Sequence, residues 1–334
     1  MNGVDVIIVC HNHAPTLTAT LAGLATQSVA PVRVAVIDNG SDDGCSVIAR
    51  GFAGRLPVSV VSWRDNRGFS AAVNAGIRET VSPWVLALNP DCRLAADFLA
   101  TLVAAATVHS RVGAACGLLL RARGTELVAS EIVDSAGMVV TASGRHFDRG
   151  AGQAVARDLE KPALLFGASA AAALYRRAAL DDVAYPGGEV FDERFFAYRE
   201  DADLAWRLQR RGWSCLYSPA ARGWHARGLK PEAARADSPK INRLSVRNRF
   251  LLRWSNADWR WRVVCFPWWL IRDAMVVAAC LTSERSSLPA LGQAWRLRRV
   301  QLARGSENAL KIRENPWHTA SWFTPWGHVR RVTS

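Results

Sequence analysis

The sequence predicts an α/β fold: a mostly parallel, doubly wound sheet followed by a helical C-terminal segment. Three observations predict it. Apolar, strand-like runs alternate with helix-spaced segments through the first 120 residues. Polar loops carrying acids, asparagines or glycines follow the second, third and fourth of those runs. Beyond residue 239 the pattern turns helical, basic and rich in tryptophan. Strand, helix, strand repeated four times is the signature of right-handed parallel crossovers.

Val4–Cys10 is a continuous β-branched run, as expected of a strand buried on both faces. Thr16–Thr26 has helical spacing, Val32–Ile37 is a second strand and Ser46–Ala53 a short helix. Pro57–Trp63, Trp84–Leu88 and Val112–Leu120 read as strands, with helices over Ser70–Thr80 and Asp97–His109 between them. After Leu120 the regularity falls. Residues 121–165 mix glycine, polar residues and short strand-like pieces. A small helix is expected over Ala170–Ala179, an amphipathic helix over 200–211 (EDADLAWRLQRR) and a short strand over Cys215–Ser218. The expected division is a catalytic domain over 1–237, its halves 1–120 and 121–237, and a C-terminal region over 238–334.

Composition narrows the class. The formal net charge of +13 is uneven: residues 240–334 hold 17 Lys/Arg against 5 Asp/Glu, and residues 1–239 hold 25 against 24. Nine of the 14 tryptophans lie in the same tail. Nucleic acid or an anionic membrane surface would suit such a segment. The seven cysteines are scattered without a CxxC pair, which reads as free thiols in a reducing compartment. The N-terminal run lacks a basic n-region and a cleavage site, so it reads as a first strand and not as a signal peptide.

A doubly wound sheet binds ligands at the carboxyl ends of its strands. No G-x-G-x-x-G and no Walker A pattern occurs, which disfavours dinucleotide dehydrogenases and P-loop NTPases. After the second strand come Asp38, Asn39 and Gly40. Such a carboxylate can accept from a ribose hydroxyl or base N–H, although an ordinary Asx/Gly turn would look the same. After the third strand, Asn66-Arg67-Gly68 opens a small-residue helix that includes Asn74. Arg67 could neutralise a phosphate there, and helix–sheet packing is the alternative. After the fourth strand, Asn89-Pro90-Asp91 places a carboxylate suited to Mg²⁺ or Mn²⁺, which fill remaining positions with substrate phosphate oxygens. Glu200, Asp201 and Asp203 cluster at a helix N-terminus, where dipole compensation is the competing explanation. His11 and His13 read as a polar loop.

The stretches VDVIIVCHN, VIDNGSDDG, NRGFSAAVNAGI, LALNPDC, FDERFFAYREDADLAWRLQRRGW and WHARG, in this order over about residues 4–228, resemble the GT-A-fold glycosyltransferases of family 2. The nearest look is to bacterial rhamnosyltransferase-like enzymes of cell-wall and surface-polysaccharide assembly. The resemblance implies a metal-dependent, inverting hexosyltransferase. Its donor would be a dTDP- or UDP-linked sugar, with rhamnose the favoured hexose. Its acceptor would be a glycan or a polyprenyl-diphosphate-linked hydroxyl. It implies that Asp38 and Asn39 hold the nucleoside, and that Asn66, Arg67, Gly68 and Asn74 line the nucleotide-sugar pocket. Asp91 stands at the metal-binding acid of the family's DxD motif, with Asn89 in place of the first acid. His225 completes the metal or diphosphate site. Asp201 would be the base, with Glu200 its substitute, and Trp206 and Arg207 would flank acceptor or diphosphate.

In the tail, residues 247–281 combine arginine, tryptophan and aliphatic side chains. Arg272, Asp273 and Pro267 interrupt any stretch near the ~20 apolar residues a spanning helix needs. Interfacial helices on an anionic membrane are expected, placing the protein on the cytoplasmic face of the cell membrane or in the cytoplasm. The other reading is a Trp-rich structural subdomain or an oligomer interface, which leaves a homodimer open. Nucleic acid is not an expected partner, because acid-bearing strand-end loops repel a phosphate backbone. A nucleotidyltransferase and an inactive glycan-binding relative are the remaining alternatives.

Overall fold

The computed structural model describes residues 3–226, 239–314 and 319–332. Its elements run β1 (Val4–Cys10), α1 (Ala14–Ala25), β2 (Arg33–Asn39), α2 (Cys45–Gly51), β3 (Val58–Trp63), α3 (Phe69–Arg78), β4 (Trp84–Leu88), β5 (Cys92–Leu94), α4 (Phe98–Thr107) and β6 (Val112–Arg123). They continue with β7 (Val128–Ser135), β8 (Met138–Val140), β9 (His146–Asp148), β10 (Ala163–Leu165), β11 (Ala172–Arg176), α5 (Arg177–Val183), α6 (Glu200–Arg210) and β12 (Ser214–His225). The C-terminal part is α7 (Pro239–Asn256), α8 (Trp259–Val264), α9 (Phe266–Leu281), α10 (Leu288–Leu310) and β13 (Arg330–Arg331).

One mixed sheet runs in the order β13-β10-β12-β6-β11-β4-β1-β2-β3, with β5 paired to β12 and β7 to β6. From β1 the chain steps outward through β2 and β3, all parallel, and then returns to β4 on the other side of β1. That reversal places the ligand crevice at the carboxyl ends of β1 and β4. Residues alternating along β1 feed two cores. Val4, Val6, Ile8 and Cys10 face the side covered by α1, α2 and α4. Ile7 and Val9 face the side covered by α3, α5 and α6. Gly76 of α3 leaves no room for a β-carbon, which would fall 2.3 Å from Ile7 Cγ2, so α3 lies tight on β1.

Several expectations are corrected. The helix expected over Ala170–Ala179 is instead strand β11 followed by α5. β11 lies antiparallel between β4 and β6, so the fifth expected strand does not neighbour the fourth. An alanine run favours a helix locally, but small side chains also fit between two helical layers, and pairing on both edges decides the outcome. The strand expected over Cys215–Ser218 extends to His225, its bulge near Ser218–Arg222 hiding the continuity. The weakly patterned stretch after Leu120 contains β7, β8, β9 and β10.

A third core joins the tail to the rest. Phe166, Phe195, Ala202, Ala205 and Trp206 pack with Leu251, Leu252, Trp261, Trp322 and Phe323. The boundary expected at 237/238 and the last two residues of WHARG, Arg227 and Gly228, lie outside the described residues. Residues on both sides of that boundary share this core. The expectation that 247–281 lies on a membrane is therefore corrected for its first part, since Asn248, Arg249, Leu251 and Leu252 are buried in protein. All seven cysteines are free and buried.

Candidate active site

The loops after β1, β2 and β3 are tied to one another. Asn12 N–H donates to Ser41 Oγ (3.1 Å), and Ala14 N–H donates to an Asp43 carboxylate oxygen (2.7 Å). Asp38 ends β2 buried, and its Oδ1 accepts from Ser41 N–H (3.0 Å). Asn39 Nδ2 donates to Asn66 Oδ1 (3.1 Å), while Asn39 Oδ1 accepts from Arg67 N–H (2.8 Å). Gly40, at φ +76°, approaches Asp65 and Asn66 so closely that a β-carbon would lie 2.6 Å from backbone. Asn66 Oδ1 also accepts from Gly68 N–H (2.9 Å), setting the turn into α3. The exposed Arg67 guanidinium lies 4.8 Å from the centre of the Trp63 ring. The sequence-predicted residues Asp38, Asn39, Asn66, Arg67 and Gly68 are thus brought to one edge as a single braced loop pair.

Asn89, Asp91 and His225 meet at the same edge. His225 ends β12, and β12 pairs with β5 immediately after the Asn-Pro-Asp turn. Asp91 Oδ1 is buried 3.2 Å from His225 Nε2 without a well-aligned hydrogen bond. Asn89 Nδ2 lies 3.3 Å from the same nitrogen. On the other side, His225 Nδ1 is 2.8 Å from Asp134 Oδ2 of β7. Burial disfavours a charged imidazole, but the bond to Asp134 and the neighbouring Asp91 and Asp134 carboxylates outweigh it and push the His225 pKa up to about 10.

These residues fit a hard divalent ion. Among the described residues no three His, Cys, Asp or Glu side chains form a metal cluster, so the protein would supply two ligands, Asp91 and His225. An under-bonded buried carboxylate beside a histidine suits Mg²⁺ or Mn²⁺, with substrate oxygens filling the remaining positions. Asp134 then fixes the ring orientation from behind, as partners of metal-binding histidines do. Sequence reasoning missed Asp134. Its only signal is an acid after the apolar pair Ile132-Val133, in a strand that also carries Glu131 and within the stretch of weakest pattern.

Helix α6 brings its first turn to this edge: the Ala170 backbone bonds the Asp201 carboxylate, and Ala171 C=O accepts from Asn89 N–H (2.9 Å). Burial raises the Asp201 pKa to about 6, opposed by a bond from the Ala202 backbone N–H, with the Asp148 charge raising it further. Glu200 is buried, its Oε2 has no partner, and burial plus the Asp201 charge hold its carboxyl well above the ordinary range. Two adjacent carboxyl groups therefore resist ionisation together, and Asp201 is the one poised near neutrality.

Three predicted site residues are placed elsewhere. Asn74 is buried in α3. Its Nδ2 donates to Phe191 C=O (2.8 Å) and Glu193 Oε1 (3.0 Å), and its Oδ1 accepts from Phe191 N–H (2.9 Å). It braces the segment before α6 instead of lining a pocket. Trp206 is buried against Phe166, Trp261 and Phe323. Arg207 is buried with Asp203 (2.8 Å) and donates to Val183 C=O (2.9 Å) and Val190 C=O (2.6 Å). Neither is free to meet a substrate, because a helix packed on two sides presents only its end to the edge.

A sheet edge that gathers braced polar loops, a buried Asp91–His225 pair and a raised carboxylate is the arrangement a nucleotide-dependent transferase would need. Residues 5–184 match glycosyl transferase family 2. An N-acetylglucosaminyl-diphospho-decaprenol L-rhamnosyltransferase of Mycobacterium tuberculosis is 30% identical over 279 residues, covering 77% of this chain and 88% of the relative. The chain belongs to glycosyl transferase family 2 and is a glycosyltransferase. Two solved structures share its fold. One is a mannosyltransferase from Pyrobaculum calidifontis in complex with GDP-Man and Mn²⁺, with TM-score 0.54, 19% identity, and coverage of 95% of this chain and 86% of that one. The other is S. aureus TarS in complex with UDP-GlcNAc, with TM-score 0.55, 17% identity, and coverage of 92% and 89%. The fold is GT-A.

Proposed function

We propose that this enzyme transfers a hexose, rhamnose first among candidates, from a dTDP- or UDP-linked donor with inversion. The acceptor is a hydroxyl of a glycan or polyprenyl-diphosphate-linked sugar in cell-wall or surface-polysaccharide synthesis. The carrying observation is the convergence of the Asp38–Asn66 loops, the Asp91–His225 pair and the Glu200–Asp201 turn on one sheet edge. The rhamnosyl and lipid-linked parts of the reading rest on the mycobacterial relative's name.

Residues 1–120 would hold the nucleotide and 121–237 the acceptor. Asp38 holds the nucleoside, and Asn39, Asn66 and Gly68 shape its wall, with Arg67 reaching the diphosphate. Asp201 takes the proton of the acceptor hydroxyl as that oxygen attacks the anomeric carbon. The bond from that carbon to the diphosphate oxygen breaks, and the nucleoside diphosphate leaves from the opposite face. A single displacement of this kind inverts the anomeric centre. Asp91 and His225 would hold a divalent ion, which when bound neutralises charge on the diphosphate. The Mn²⁺ in the Pyrobaculum neighbour supports that assignment.

Titration calorimetry with UDP and dTDP, with and without Mn²⁺, tests the donor site. Metal-dependent binding that is lost in Asp91→Ala is expected. Absence of binding by either diphosphate would overturn the reading.

The same reading places the protein on an anionic membrane surface at its cytoplasmic face. No helix among the described residues is long and apolar enough to cross a membrane. Helix α9 supports surface docking by its inverted polarity. Phe266, Trp268, Leu270, Ile271, Met275 and Leu281 are exposed, while Asp273 turns inward to Arg253 and Arg249. The exposed Arg262 and Arg285 lie just before and just after this helix in the chain. A two-fold homodimer through it would bring like charges together, whereas anionic headgroups complement them. Sedimentation with phosphatidylglycerol-containing vesicles, but not with pure phosphatidylcholine, is expected, with loss in Ile271→Glu. A stable dimer in solution, broken by the same substitution, would replace this partner with a second copy.

A further inference from the structure

The backbone leading into α6 is strained. Phe196, Tyr198 and Arg199 have φ of 64°, 70° and 72°, and none is glycine. Left-handed non-glycine residues cost on the order of 1–3 kcal/mol each and persist only where surroundings hold them. Three residues separate the first of them from Glu200, and Arg199 is itself the N-cap of α6.

The holding groups come from α7, in the tail. Asn248 is fully buried, and its single Nδ2 donates to Phe195 C=O (2.9 Å), Ala197 C=O (2.8 Å) and Tyr198 C=O (2.7 Å). Arg247 Nη2 donates to Arg194 C=O (2.9 Å) and Phe195 C=O (2.8 Å). Arg247 Nε orients its neighbour by donating to Asn248 Oδ1 (2.9 Å). Arg199 Nε donates back to Ser245 C=O (3.1 Å). On its other side the loop meets the nucleotide half. Phe196 C=O accepts from Ser70 N–H (3.1 Å), and a β-carbon on Gly68 would sit 2.6 Å from that same oxygen.

We infer that Arg247 and Asn248 are positioning residues for the transfer reaction: they hold the strained 195–199 turn that aims the Asp201 carboxylate. A helix that merely anchored the protein would have no reason to place a buried amide against three carbonyls of one turn. The turn also touches the Asn66–Ser70 loop, so the clamp sets the base relative to the donor. This inference rests on the assignment of Asp201 as the base, and its test separates the two.

The full-length protein is compared with Asn248→Ala, Arg247→Ala, Arg247→Lys and the control Arg243→Ala, whose native side chain, one turn earlier in α7, bonds Ser286 C=O and not the 195–199 turn. Hydrogen–deuterium exchange reads the turn without any substrate. Turnover is read as diphosphate release from dTDP-rhamnose in water. Faster exchange at 195–203 in both alanine variants is expected, with the core strands and the control unchanged. Turnover should fall by up to about 100-fold with donor KM kept, as misplacement of a reacting group does, and Arg247→Lys should recover part of it. Unchanged exchange at 195–203 overturns the inference even if the wild type shows no turnover, a result that counts against the proposed function instead. Faster exchange with wild-type kcat overturns it too, as does a loss of kcat that merely tracks a loss of Tm. If Asn248→Ala is not recovered folded, Arg247→Ala decides by the same readings.

Discussion

At the residue scale, the edge separates groups that can touch a substrate from groups that hold them. Asp201 is held near neutrality by burial, so its ionised form is lost as pH falls through about 6. A base must be ionised to work, so kcat/KM should decline on the acid side with a midpoint near that value. Asp201→Asn should lower turnover by about 100-fold or more while calorimetric diphosphate binding stays intact. A variant with normal turnover would remove Asp201 from the mechanism. Asn74 makes the opposite prediction. Its amide satisfies buried backbone at Val190–Phe191, so Asn74→Ala should cost about 1–3 kcal/mol in denaturant unfolding. Its effect on diphosphate affinity should be small.

At the element scale, α6 is the centre of the molecule. Its first turn faces the site and its body is enclosed by β-sheet on one side and tail helices on the other. Trp206 fills that second side, tilted against Phe323 at 4.5 Å between ring centres and edge-on to Trp261 at 5.5 Å. Trp206→Ala should therefore cost about 3–5 kcal/mol, read from the denaturant midpoint. Helix α10 braces the same region. Gln301 Nε2 donates to the fully buried Asp192 (3.0 Å), and Arg304 pairs with Glu189. The 189–199 segment is thus held from α3 by Asn74, from α7 by Asn248 and from α10 by Gln301. An irregular segment needs such external partners because it has no ladder of its own.

At the scale of the whole molecule, the tail is both structure and surface. Its α7, its α8 and the Trp322–Phe323 segment complete a core that the first 226 residues begin, while α9 turns an apolar face outward. A chain ending at residue 238 should expose Phe166, Phe195 and Trp206, and is expected to melt well below the full chain or to aggregate. A truncated chain with the full-length Tm would show that the third core is dispensable. The two roles agree physically, since a helix pair anchored by buried arginines can present an adjacent helix without unfolding its support.

What the sequence by itself determined is the local and the periodic. The alternating runs placed β1 and β4 to the residue and most other early elements to within two or three, because a strand buried on both faces must be almost wholly apolar, Asp5 of β1 being held by the Val81 and Ser82 N–H groups. The polar loops at strand ends marked Asp38, Asn66 and Asp91, since function there needs groups the core would reject. Only the tertiary structure decided what pairs with what. The local preference of the 170–179 alanine run gave way to pairing on both edges. Nothing in the spacing joined Asp134 to His225, 91 residues apart, or Asn248 to the turn before Glu200. Trp206 and Arg207 read as site residues because the resemblance placed them one to two turns beyond Asp201, and position along a helix does not show which of its faces are covered. Contacts of long sequence separation are fixed by packing, and packing is a property of the whole chain.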